Sequence, residues 1–88
     1  MKRTKFTAIV TADAGNTIVA ERTTFAWNSA IRATEAIVRE YARERTTIMS
    51  GSDPQVMGTP ARPGSIYRRR WTSTTGRELS ALVYAADS

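Results

Sequence analysis

Residues 27–45 read WNSAIRATEAIVREYARER. Apolar or small residues recur at Trp27, Ala30, Ile31, Thr34, Ile37, Val38, Tyr41 and Ala42, the spacing of one face of an α-helix. The other face carries Arg32, Glu35, Arg39, Glu40, Arg43 and Glu44. Glu35 precedes Arg39 by four residues, an order that supports a helix by about 0.2–0.5 kcal/mol. Four Arg against three Glu leave the segment at +1, a solvated scaffold rather than a basic reading helix. Thr24, Asn28 and Ser29 are the candidate N-caps.

The chain on the N-terminal side of this helix alternates. In KRTKFTAIVTA (2–12), Phe6, Ala8, Val10 and Ala12 fall on one side and Lys5, Thr7, Ile9 and Thr11 on the other, a strand rich in β-branched residues. Asp13-Ala14-Gly15-Asn16 is a compact turn in which Gly15 or Asn16 takes a positive φ. TIVAERTTF (17–25) returns antiparallel, because so short a loop permits only a hairpin.

On the C-terminal side, residues 46–64 hold Pro54, Pro60, Pro63, Gly51, Gly58 and Gly64, a density that excludes a long helix or a central strand. They are expected to form a long loop, with a short extended piece at Thr47 to Met49, and with Val56 and Met57 pinning its middle to the core. A second hairpin follows: SIYRRRWTS (65–73), a turn at Gly76, then ELSALVYAA (78–86). The expectation is one α+β domain over residues 1–88: hairpin 4–25, helix 27–45, Pro/Gly-rich loop 46–64 and hairpin 65–86.

In this ββαββ reading one helix packs on a four-stranded sheet. If the first and last strands lie side by side and parallel, the arrangement resembles the β-grasp fold of ubiquitin and of the immunoglobulin-binding domains of protein G. That likeness is topological and implies no function. We take this order first, with a purely antiparallel order as the alternative. The parallel order brings Lys2, Arg3, Lys5, Arg70 and Arg77 toward the helix N-terminus, a seat for an anion. In either order Phe6, Val10, Ile18, Leu79 and Val83 form the helix-facing side. Ile9, Val19, Leu82 and Tyr84, with either Tyr67 and Trp71 or Ile66, remain on the other face. A sheet apolar on both faces needs a second cover: the long loop, a second copy in a homodimer, or a foreign partner.

Composition narrows the function. The chain has neither His nor Cys, which removes the commonest general base, the best nucleophile, the usual zinc ligands and any disulfide. Its carboxylates are dispersed; Glu21 and Glu78 are the only ones on strands, and no phosphate-cradling glycine motif occurs. The expectation is a protein that is not an enzyme and uses no cofactor or metal. With no signal peptide and no apolar run long enough to span a bilayer, a cytoplasmic protein without a membrane partner is expected.

The net charge is +5, and eleven of the thirteen basic residues are Arg, which suits phosphate and carboxylate forks and stacking on flat rings. The densest feature is Tyr67-Arg68-Arg69-Arg70-Trp71. On a strand, Tyr67, Arg69 and Trp71 share one face and Arg68 and Arg70 the other. Two rings flanking an Arg stack unpaired bases while guanidinium groups hold phosphates. The competing reading makes Tyr67 and Trp71 core residues, with Arg69 stacked on the rings and Arg68 and Arg70 solvated. The expected binding residues are Lys2, Arg3, Lys5, Tyr67, Arg68, Arg69, Arg70, Trp71 and Arg77. Two functions fit them. One is a small nucleic-acid-binding protein. The other is a protein-interaction module, such as a phage or mobile-element accessory or inhibitor protein that binds an acidic host protein.

Overall fold

The computed structural model describes residues 3–87, and the side chains of 3–86. Among the described residues six strands and one α-helix follow in the order β1 (Thr4–Ala12), β2 (Thr17–Thr24), α1 (Trp27–Glu44), β3 (Met49–Gly51), β4 (Gln55–Met57), β5 (Ile66–Ser73) and β6 (Glu78–Asp87), with a single 3-10 turn at Asp13–Gly15 between β1 and β2. The strands form one sheet in the order β2-β1-β6-β5-β3, with β4 also on β5, and every pairing is antiparallel. The protein is therefore α+β, with α1 on one face of a six-stranded sheet.

The first and last long strands are neighbours, but they run in opposite senses: Thr4 lies opposite Asp87 and Ala12 opposite Leu79. This corrects the parallel, β-grasp-like order and the four-strand count. The cause is the segment read as a loop. After α1, β3 pairs with the end of β5 and β4 with its beginning, so residues 49–57 cross the sheet as a broken edge strand. That extra traverse starts β5 at the opposite end and inverts the sense of β6. Pro54 falls in the break, where a missing N–H costs no ladder bond. Val56 and Met57 are exposed on this edge and pin nothing to the core. Nor does the segment cover the second face.

The helix begins where its apolar period begins. Its N-cap is Ala26, which makes no side-chain capping bond. The Thr24 hydroxyl folds onto it instead, donating to the Ala26 carbonyl at 2.9 Å and accepting from the Ala26 N–H at 3.4 Å. At the other end the Thr47 N–H reaches the Ala42 carbonyl at 3.0 Å and Thr46 turns left-handed at φ 50°, ending the helix in a Schellman arrangement. On the outer face the Glu40 carboxylate pairs with Arg43, whose hydrogen bond holds it below the ordinary carboxylate range. Among the described residues no ion pair joins Glu35 to Arg39.

The core lies between α1 and the strands beneath it. Ala30, Thr34, Ile37, Val38 and Tyr41 face Phe6, Ala8 and Val10 of β1, Leu79, Ala81, Val83 and Ala85 of β6, and Tyr67 of β5. Trp27 packs edge-on against both Phe6 and Tyr67. Ile18 and Val19 exchange the places expected of them. Val10 pairs with Ala20 and Thr11 with Ile18, so Val19 is the extra residue of a bulge. Val19 and Ala20 both turn to the core, and Ile18 stays 61% exposed.

Candidate binding face

Alternation along β5 divides the basic run between two environments. Tyr67, Arg69 and Trp71 lie opposite Val83, Ala81 and Leu79, on the side covered by α1. Tyr67 is 4% exposed, so its ring is filled by core contacts and offers no face to a ligand. Trp71 is half-buried against the cluster around Val10 and Leu79. Arg69 is fastened at the sheet edge: its Nε donates to the Ser52 carbonyl at 2.8 Å and its guanidinium carbon sits 4.2 Å from the centre of the Trp71 ring.

That seat requires Gly51. A Cβ at this position would stand 2.5 Å from Arg69 Nε and 2.7 Å from its guanidinium carbon. Gly51→Ala is expected to displace the guanidinium and to destabilise the fold by about 1 kcal/mol, chiefly through the lost cation–π contact and charged hydrogen bond. In a proton–nitrogen correlation spectrum the Trp71 indole signal should move while that of Trp27 stays.

Arg68 and Arg70 point to the open face, and both are exposed. Among the described residues neither side chain enters an ion pair or a hydrogen bond. They stand roughly 7 Å apart along the strand. At the break between β3 and β4 the backbone bends away at Ser52, whose N–H donates to the Arg70 carbonyl at 2.8 Å and whose hydroxyl accepts from the Arg70 N–H at 3.1 Å. The hollow left there measures about 470 Å³ and is lined by Ser52, Asp53, Gln55, Arg68, Arg69, Arg70, Ser80 and Ala81. Three arginines and one aspartate are among the residues that line it.

The remaining candidate residues do not join this group. Arg3 is exposed at the other end of the sheet, over the Phe25 ring at 4.1 Å. Lys5 shares the open face but lies opposite Ala86, four residues along β6 from the partner of Arg68. Arg77 lies beside the C-terminal half of α1, where a 3.5 Å hydrogen bond to the Tyr41 hydroxyl raises its pKa. Lys2 lies outside the described residues. The antiparallel order thus keeps Arg70 and Arg77 away from the helix N-terminus, while Arg3 stays beside Phe25, two residues before the helix begins.

One residue of the open face was not among the expected binding residues. Tyr84 lies on the open face, 37% exposed, opposite Ile66 and Thr7 and diagonal to Arg68. Only the β5–β6 register reveals that neighbour.

A second, larger hollow of about 790 Å³ runs between β2 and α1. Arg22, Arg45 and Arg77 line it together with Asp13, Glu40 and Glu44, so its charges cancel and it has no preference for an anion. Among the described residues no three potential metal-binding side chains cluster, and no helix is long and apolar enough to cross a membrane.

Fold and face define a one-helix protein whose antiparallel sheet leaves one side open, with an arginine-lined notch at one edge. No family model matches the chain, and no curated protein or solved structure is significantly similar to it.

Proposed function

We propose that this is a small, non-enzymatic cytoplasmic protein that binds nucleic acid by its phosphates through the outward side of β5. The observation that carries the reading is the pairing of Arg68 and Arg70, exposed, unengaged and on one face, beside a polar notch with a single acid. Guanidinium groups at this spacing suit consecutive phosphate oxygens, and Ser52, Gln55 and Ser80 supply neutral donors around them.

The test is a salt titration of a fluorescent oligonucleotide. Log K should fall linearly with log salt, with a slope of roughly 0.7–0.9 for each phosphate engaged. No binding at low salt removes the proposal.

A protein-interaction module is the second reading, and one observation favours it. β2 ends the sheet, so its outer backbone groups face no strand, and the larger hollow runs beside it. Capture from lysate with and without nuclease separates the two: partners lost with nuclease favour nucleic acid, and a stoichiometric protein that stays favours the module.

A further inference from the structure

The arginine pair occupies one corner of the open face, and an apolar patch lies beside it. Ile9, Ile66 and Leu82 are half-buried there, and Tyr84 and Met57 are exposed. Register sets them side by side: Met57, Ile66, Tyr84 and Thr7 form one row, and Arg68, Leu82 and Ile9 the next. We infer that this row is a platform for unpaired bases, with Tyr84 as the stacking ring, so that the protein selects single strands over duplex. The inference rests on the reading that Arg68 and Arg70 hold phosphates.

Geometry disfavours the duplex. Five strands at their usual spacing make a sheet roughly 19 Å wide. The major groove of a B-form duplex is about 12 Å wide, and the minor groove about 6 Å. Helix α1 lies on the opposite side of the sheet, so it cannot enter a groove while this face is in contact. A duplex laid on the face would touch Arg68 and Arg70 with its backbone and leave the apolar row against water. A single strand meets both halves at once. Its bases turn onto Tyr84, Ile66 and Leu82, and its backbone follows the arginines. Cross-strand diagonals place Tyr84 and Arg68 within roughly 7–8 Å, the reach of one nucleotide.

The exposed arginine pair favours a polyanion over a second copy of the chain. The face carries Lys5, Arg68 and Arg70; its acids are Glu78, Glu21 on the far edge strand β2, and Asp53 in the notch. A second copy laid on it brings the same three cations into a dry contact. A nucleic-acid backbone neutralises them.

The experiment compares a fluorescent 20-nucleotide oligo(dT) with a mixed-sequence duplex of equal length, for the wild type and for Tyr84→Ala and Tyr84→Phe. The wild type should bind oligo(dT) at least ten-fold more tightly than duplex. Tyr84→Ala should weaken oligo(dT) binding by roughly ten- to hundred-fold, the worth of one stacked base, and leave duplex binding unchanged. Tyr84→Phe keeps the ring and should stay close to wild type. Thermal melting of both variants separates a lost platform from a lost fold, and the wild-type preference needs no variant. Equal affinity for both oligonucleotides, or a silent Tyr84→Ala, overturns the platform and leaves the phosphate reading standing. Binding to neither removes both. A wild type that sediments as a dimer, with Tyr84→Ala monomeric, also overturns the platform and assigns the face to a second copy.

Discussion

Replacing both Arg68 and Arg70 by Glu is expected to abolish oligonucleotide binding while the urea midpoint stays within the range of ordinary surface variants. The two guanidinium groups stand in solvent with no ion pair or side-chain hydrogen bond among the described residues, so the fold does not depend on them. Surface changes of this kind alter stability by about 0.5 kcal/mol or less. Their effect on a polyanion is far larger. With a salt slope of about 0.7 per phosphate on a single strand, losing two contacts near 50 mM salt weakens binding by roughly 50-fold. That is the expected loss for the double alanine variant, whose salt slope should also fall by about 1.4. Glutamate adds repulsion and takes binding below detection. Arg69→Ala is the informative contrast. Its guanidinium is committed to Ser52 and Trp71, so its loss should appear mainly in the melting curve. If Arg69→Ala abolished binding and the Arg68 and Arg70 variants did not, the assignment of faces along β5 would be inverted.

The parts of this fold legible in the sequence are those whose period exceeds the noise of composition. The eighteen residues of α1 repeat their apolar stripe five times, and both hairpins join long alternating strands. β3 and β4 hold three residues each, too few for any period, and lie among Gly51, Pro54 and Gly58. Pro and Gly argue against a central strand, but an edge strand tolerates both. One short edge traverse, which carries no period of its own, is enough to reverse the sense of β6 and to part Arg70 and Arg77 from the start of β1.

The candidate face was legible only by half. Alternation separates Arg68 and Arg70 from Tyr67, Arg69 and Trp71 with no structure at all. It does not say which set is covered, because both faces of the sheet are apolar. Three-dimensional contacts decide it, through Trp27 closing on Phe6 and Tyr67. Tyr84 is eighteen residues from Ile66 in sequence and directly opposite it in the sheet. A register measured from the turn at Gly76 links the two; local pattern cannot.

The largest effect on stability is expected from Leu79→Ala. Leu79 is fully buried, faces Ala12 on β1 and Trp71 on β5, and packs in the cluster of Val10, Ile37, Val38 and Tyr41 beneath α1. Among the described residues four of the twelve buried hydrophobic ones are alanines, so eight larger side chains supply the bulk of the core. The small neighbours Ala12 and Ala81 cannot extend into a vacated space. The cavity should therefore stay open, and the cost lies at about 2–5 kcal/mol. A domain of this size is stable by about 5–15 kcal/mol in total, so the variant should be extensively destabilised and its urea midpoint sharply lower. The bulge in β2 provides the internal standard. Val19 contributes to the same cluster and Ile18 does not, although Ile18 is the larger residue. Val19→Ala should therefore cost more than Ile18→Ala. The opposite ranking would place Ile18 under the helix and remove the bulge, and with it the register that carries α1 over the β1–β6 seam.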